Sequence, residues 1–340
     1  MSDASDEMDP QLAAVVEEFA AEGVPPWHSM SVACARRVEE ELFSADGPAL
    51  RTVRDLAIDG PNGEIPVRIY HPGSDDPPTL VFAHGGGWVL GTLDSADDIC
   101  REIADRAGCL VVSVDYRLAP ERPFPAGLED VSAAVAWAAD YAGHLGADPD
   151  RLGVAGTSAG GNLAAATALR ARDSGPDRVS GSGHDPGPDS GGGIARGVRA
   201  DGAPALDGQF LLYPITDPAM DTDSYREHGE GPLLSRADMA WFWDHYLRSP
   251  VDAHNPFAAP VRATDLTGVA PATVLTAGFD VLRDEGAAYA EQLADAGVPT
   301  DHDNYPSLAH GFLSLTDEVD RADQAMDALA ERIRDRLDGS

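Results

Sequence analysis

The spacing of apolar residues changes period near Arg51. Before it, apolar positions recur at helical intervals in QLAAVVEEFAAEG and, after the Pro25-Pro26 break, in PPWHSMSVACARRVEEELF. Residues 9–45 are therefore expected to be helices, with Asp9-Pro10 as cap and first-turn pair. From Arg51 onward short apolar runs stand between turn residues: RTVRDLAID, IPVRIYHP, TLVFAH, LVVSVDY, RLGVAGTS, QFLLYP, ATVLTA and DHDNYP. These predict eight strands. Helical patterns at 94–107, 127–142, 159–172, 283–297 and 317–338 separate the third and later runs. Strands alternating with helices imply an α/β chain whose mostly parallel sheet is covered on both faces. The first two runs have no helix between them, which implies an antiparallel start.

Two segments break the alternation. Residues 173–205 are rich in Gly, Asp, Ser and Pro, cannot bury a core, and are expected to form a mobile acidic insertion. Residues 217–257 carry the aromatic helix RADMAWFWDHYL between the sixth and seventh strands. The expected division is residues 1–50 as N-terminal cap helices, 51–216 with 258–340 as one α/β domain, and 217–257 as the second part of the cap.

Charge adds the setting. The 340 residues carry 58 acidic and 24 basic side chains, a formal charge of −34, and every basic residue is Arg. Such a surface repels nucleic acid and anionic lipid, so neither is an expected partner. The acidic excess is spread along the chain, as in a whole-surface adaptation. Its physical reading is a halophile's cytosol, where salt screens self-repulsion and carboxylates keep the surface hydrated; a merely acidic protein is the alternative. Three cysteines, Cys34, Cys100 and Cys109, show no paired or metal-ligand spacing and are expected to be buried, reduced thiols. The acidic first residues lack an apolar leader pattern and no stretch of membrane-spanning length is apolar, so a soluble cytoplasmic chain is expected.

Three motifs carry chemistry. Gly156-Thr157-Ser158-Ala159-Gly160 fits G-x-S-x-G between a strand and a helix, the context in which a sharp turn exposes the serine hydroxyl above the sheet. His84-Gly85-Gly86-Gly87-Trp88 follows the strand TLVFAH, where glycines let backbone N–H groups turn toward a substrate carbonyl. The expected oxyanion donors are the amides of Gly86, Gly87 and Ala159, each worth about 2.7–4 kcal/mol in a transition state. Gly85 and Trp88 are expected to contact substrate. A phosphate-binding glycine turn, the rival reading, lacks its G-x-G-x-x-G or Walker pattern.

A serine hydroxyl needs a base, and the base needs a carboxylate to hold its tautomer. His310, in SLAHGF after the last strand run, is the histidine placed to return to the site, whereas His84 reads as part of its loop. Asp280 ends the seventh run; Asp284 and Glu285 are rivals that should already belong to the next helix.

HGGGW, DYRLAPERPFPAGLEDV, GTSAGGN, DVLRDEG and HGF together resemble the hormone-sensitive lipase family of microbial esterases, bacterial group four, in its GTSAG branch. The resemblance covers most of the chain. It implies the α/β-hydrolase fold, a Ser158, Asp280, His310 triad, a two-part helical cap, and carboxylesterase activity on short to medium acyl chains with no metal or cofactor. The branch includes dimers, which implies a homodimer through the sheet edge. Val281 departs from the usual Pro, and the 173–205 stretch is longer than the family's pattern; neither touches the triad. Trp241, Phe242 and Trp243 either line the substrate pocket or simply pack. An amidase, formamidase or lactonase would use the same residues. A non-catalytic binder of small molecules, like the plant hormone receptor built on this scaffold, would lack the histidine that His310 supplies.

Overall fold

The computed structural model describes residues 7–43, 47–174 and 204–338. The expected insertion at 173–205 therefore lies almost wholly outside the described residues. Two helices open the chain, α1 (Pro10–Glu22) and α2 (Val32–Leu42). Asp9 caps α1 by accepting from the Gln11 and Leu12 amides, and Ser31 caps α2 by accepting from Cys34.

Eight strands follow: β1 (Thr52–Gly60), β2 (Gly63–His71), β3 (Thr79–Ala83), β4 (Leu110–Val114), β5 (Leu152–Thr157), β6 (Gly208–Leu212), β7 (Ala272–Phe279) and β8 (Thr300–Ala309). They form one sheet in the order β1-β2-β4-β3-β5-β6-β7-β8. The β1–β2 and β2–β4 pairs are antiparallel; every later pair is parallel. This is the α/β-hydrolase fold.

Side chains of β3 alternate between the two faces, as strand geometry requires. Leu80 and Phe82 meet α3 (Asp97–Ala107) and α9 (Asp320–Leu337) through Ile99, Ile103, Met326 and Ile333. Val81 and Ala83 face the layer of α4 (Ala126–Tyr141), α5 (Ala159–Asp173) and α8 (Arg283–Asp295), with Val131, Leu163 and Tyr289. Burying one such leucine contributes about 2 kcal/mol, so two covered faces hold the central strands firmly. Cys100 and Cys109 sit in this core as free thiols that burial pushes well up, Cys109 to about 12; Cys34 is only half-buried, contrary to expectation.

Between β6 and β7 run α6 (Asp223–Glu227) and α7 (Arg236–Tyr246), the latter opened by a reciprocal Ser235–Asp238 capping box. The turn Trp27–Ser29 packs on α7: the His28 backbone N–H donates to Asp238 Oδ1 at 2.9 Å, and His28 Nδ1 meets the same oxygen at 2.8 Å. Two segments 210 residues apart thus meet over the carboxyl ends of the strands. Among the described residues no helix is long and apolar enough to cross a membrane.

Candidate active site

Strand order decides which loops meet. β3 lies beside β5, so the glycine loop after β3 borders the turn after β5. The backbone at Ser158 has φ 54° and ψ −115°, a strained conformation for a side-chain-bearing residue, held where the turn is over-determined. Ser158 N–H donates to Leu212 O at 2.8 Å, and Ser158 O accepts from Asn162 N–H and Ile215 N–H. Close approach explains the flanking glycines: a β-carbon on residue 160 would stand 1.9 Å from Ala83 O, and one on residue 156 would stand 2.3 Å from Gly160. The Ser158 amide is committed to Leu212, whereas Ala159 opens α5, where a first-turn N–H has no intrahelical partner.

The structure brings Ser158, Asp280 and His310 together. Asp280 Oδ1 accepts from Leu282 N–H at 2.9 Å, which aims Oδ2 at His310 Nδ1, 2.8 Å away. Because a carboxylate only accepts, Nδ1 carries the proton and Nε2 is left to accept from Ser158 Oγ at 3.0 Å. The edge of Tyr213 packs on the His310 ring at 5.0 Å and 66°. The rivals are occupied elsewhere. Asp284 accepts from Ser224 N–H and pairs with Arg283. Glu285 is buried, accepts from the Thr216 and Asp217 amides, and has its carboxyl pushed up to about 8 by burial.

Gly86 and Gly87 both take positive φ, 101° and 59°. His84 does not enter the site as a base. Its Nδ1 hydrogen-bonds Gly85 O at 2.8 Å, the ring stacks on Tyr116 at 4.2 Å, and burial lowers its pKa to about 4.

Above these groups lies a cavity of about 470 Å3. Ser158, His310, Gly85, Gly86 and Gly87 form its floor, and Val16, Phe19, Leu42, Leu233 and Phe242 are among its apolar walls. Trp88 does not line it. At φ 63° the chain swings this indole away to stack on Tyr246 at 3.9 Å and 4°, leaving it 1% exposed. Of Trp241, Phe242 and Trp243 in α7, Phe242 lines the cavity, Trp243 packs on Trp88, and Trp241 packs on Phe242 and His245. Sequence reasoning missed Tyr213, the His28–Asp238 bond, and the walls given by Val16 and Phe19. Phe19 belongs to the apolar stripe of α1, but a stripe does not say what it faces.

A model of a family described as alpha/beta hydrolase fold matches residues 80–314, and the chain belongs to that family. Within it the chain falls among the carboxylic-ester hydrolases of hormone-sensitive-lipase type. It is 45% identical over 273 residues to carboxylic ester hydrolase LipN of Mycobacterium tuberculosis, a match spanning 79% of this chain and 66% of LipN. Carboxylesterase NlhH of the same organism is 38% identical over 331 residues, 94% of this chain and 93% of NlhH. The hyperthermophilic esterase of the archaeon Pyrobaculum calidifontis superposes with a TM-score of 0.84 at 35% identity, covering 96% of this chain and 98% of the esterase.

Proposed function

We propose that this chain is a salt-adapted, cytoplasmic serine carboxylesterase that hydrolyses short- to medium-chain acyl esters through an acyl-enzyme. The observation that carries the reading is the continuous hydrogen-bonded line Ser158–His310–Asp280 at the floor of an apolar cavity. His310 takes the Ser158 proton as Oγ attacks the ester carbonyl. Asp280 holds the Nδ1–H tautomer and stabilises the imidazolium that forms. The amides of Gly86, Gly87 and Ala159 receive the oxyanion, and His310 returns the proton to the departing alcohol. Water then repeats the sequence on the acyl group.

Residues 1–50 and 217–257 act as a two-part cap that excludes bulk water and selects the acyl chain; the apolar walls from α1, α2 and α7 support this. The acidic, Lys-free composition supports salt adaptation, and disfavours nucleic acid and anionic membranes as partners. Among the described residues β8 pairs only with β7, which leaves an open sheet edge for a homodimer.

Ser158→Ala tests the mechanism on p-nitrophenyl butyrate. The expected loss in kcat is at least about a thousandfold; a wild-type rate overturns the reading. Comparing esters with anilides and lactones separates the leaving-group classes that this triad can serve.

A further inference from the structure

α2 reaches the glycine loop with one side chain. The Arg36 guanidinium donates from Nε to Val89 O at 2.9 Å and from Nη2 to Ala119 O at 3.0 Å. Its outer face is forked on Glu121, at 3.0 Å from Nη1 and 2.8 Å from Nη2. One turn along the same helix, buried Glu39 hydrogen-bonds the Gly91 backbone and the Ser95 side chain. Two neighbouring side chains of α2 therefore hold the end of the segment that contains Gly86 and Gly87.

The planarity of the peptide group carries this hold to the floor of the cavity. Val89 O and Leu90 N–H belong to one trans peptide unit and point opposite ways. Arg36 grips the oxygen, and Leu90 N–H donates to Gly86 O at 2.8 Å. Gly86 O and Gly87 N–H belong to the next such unit, which Val89 N–H also fixes by donating to Gly86 O at 3.1 Å. Thus a chain of two planar groups runs from a guanidinium on the N-terminal segment to the direction of the Gly87 N–H. Glycines lack the side-chain restriction that would set this direction locally.

We infer that Arg36 is a positioning residue for the oxyanion site, aiming the Gly87 amide through Val89 and Gly86; this rests on the oxyanion role proposed above for Gly86 and Gly87. Arg36 is absent from the walls of the cavity, so its removal should act on the transition state and not on substrate binding.

The test compares wild type, Arg36→Met, Arg36→Lys and Ser158→Ala on p-nitrophenyl butyrate, with a reversible alkyl trifluoromethyl ketone whose serine adduct carries an oxyanion. Arg36→Met keeps the stem and removes every donor. Its kcat should fall about 10–100-fold while KM stays within about twofold. The ketone's inhibition constant should rise by the factor that kcat/KM falls. Arg36→Lys keeps the charge near Glu121 but cannot serve Glu121 and both carbonyls together, so it should fall in the same direction. It decides the matter where Arg36→Met fails to fold. A folded Arg36 variant with unchanged kcat and unchanged ketone affinity overturns the inference. So does one that changes KM alone. An active Ser158→Ala instead overturns the esterase mechanism, so the two failures are distinguishable.

Discussion

The ring of Phe242 lies where a side chain on residue 87 would have to go: a β-carbon built on Gly87 would stand 2.1 Å from Phe242 Cδ1. The helix α7 is thus seated directly on the glycine loop, with the Trp88–Tyr246 stack beside it.

Gly87→Ala should therefore collide with Phe242 and also hold an L-residue at φ 59°, a conformation costing about 1–2 kcal/mol by itself. The expected result is a fall in kcat of about a hundredfold, as when one oxyanion donor is lost. Gly87→Ala with Phe242→Ala relieves the collision but not the backbone cost, so it should recover part of the activity. Steady-state kinetics on the single and double variants check this. A double variant no better than Gly87→Ala would contradict a steric seat.

Asp280 and Asp284 should separate cleanly. Asp280→Asn leaves the His310 tautomer wrongly set, and kcat should drop about ten-thousandfold with little change in fold. Asp284 instead ties α8 to Ser224 of α6. Asp284→Asn should lower the melting temperature and keep kcat within about tenfold of wild type. Calorimetry and kinetics on both variants provide the check, and an inactive Asp284→Asn with an active Asp280→Asn would reverse the assignment.

Burial of Glu285 raises its carboxyl pKa from the ordinary 4.5 to about 8. The folded state then binds a proton that the unfolded state has already released, so this group's stabilisation is full below about 4.5 and is lost as pH climbs through about 8. Gln at 285 can still accept from the Thr216 amide without titrating. Relative to Glu285→Gln, wild type should lose melting temperature steadily between those limits and level off above them. Asp98 behaves alike, raised by burial to about 7, so the corresponding loss against Asp98→Asn should end about one pH unit earlier. Melting curves from pH 4 to pH 9 that run parallel for wild type and variant would refute the linkage.

Salt should stabilise the fold. Raising ionic strength from 0.1 to 1 M shortens the Debye length from about 10 Å to about 3 Å, which screens repulsion among unpaired surface carboxylates more than it weakens tight groups such as Arg68 with Asp55, Asp94 and Asp97. The melting temperature should climb from dilute buffer into multimolar KCl. A flat or falling trend would remove the salt-adaptation reading.

The strands were legible because runs such as TLVFA and LVVSV are buried on both faces and carry a single small polar residue each, Thr79 and Ser113, too few to blur them. The elbow was legible because the crowding at Gly156 and Gly160, from each other and from the end of β3 at Ala83, leaves its mark in the sequence as two glycines flanking one serine. Trp88 was misread for the opposite reason: its direction depends on a positive φ at one residue and on Tyr246, more than 150 positions away, neither of which adjacency to a glycine motif reveals. Asp280 was legible over Asp284 and Glu285 because it ends the seventh run, whereas the other two should already belong to the next helix, and α8 does begin at Arg283. The bonds to His310 and to the Thr216 amide then show what each carboxyl serves. Arg36 carried no local signal, being one of many arginines that pair with acids.

α2 buries only Ala35 and Glu39, whereas β3 to β6 are buried throughout. The loop that must stay rigid is thus hung from one of the molecule's least anchored helices, and local opening favours such elements well below the global transition. Heating should silence turnover while the sheet is still intact, so the upper working temperature belongs to an outer helix and would move with the grip of one arginine, not with the density of the core.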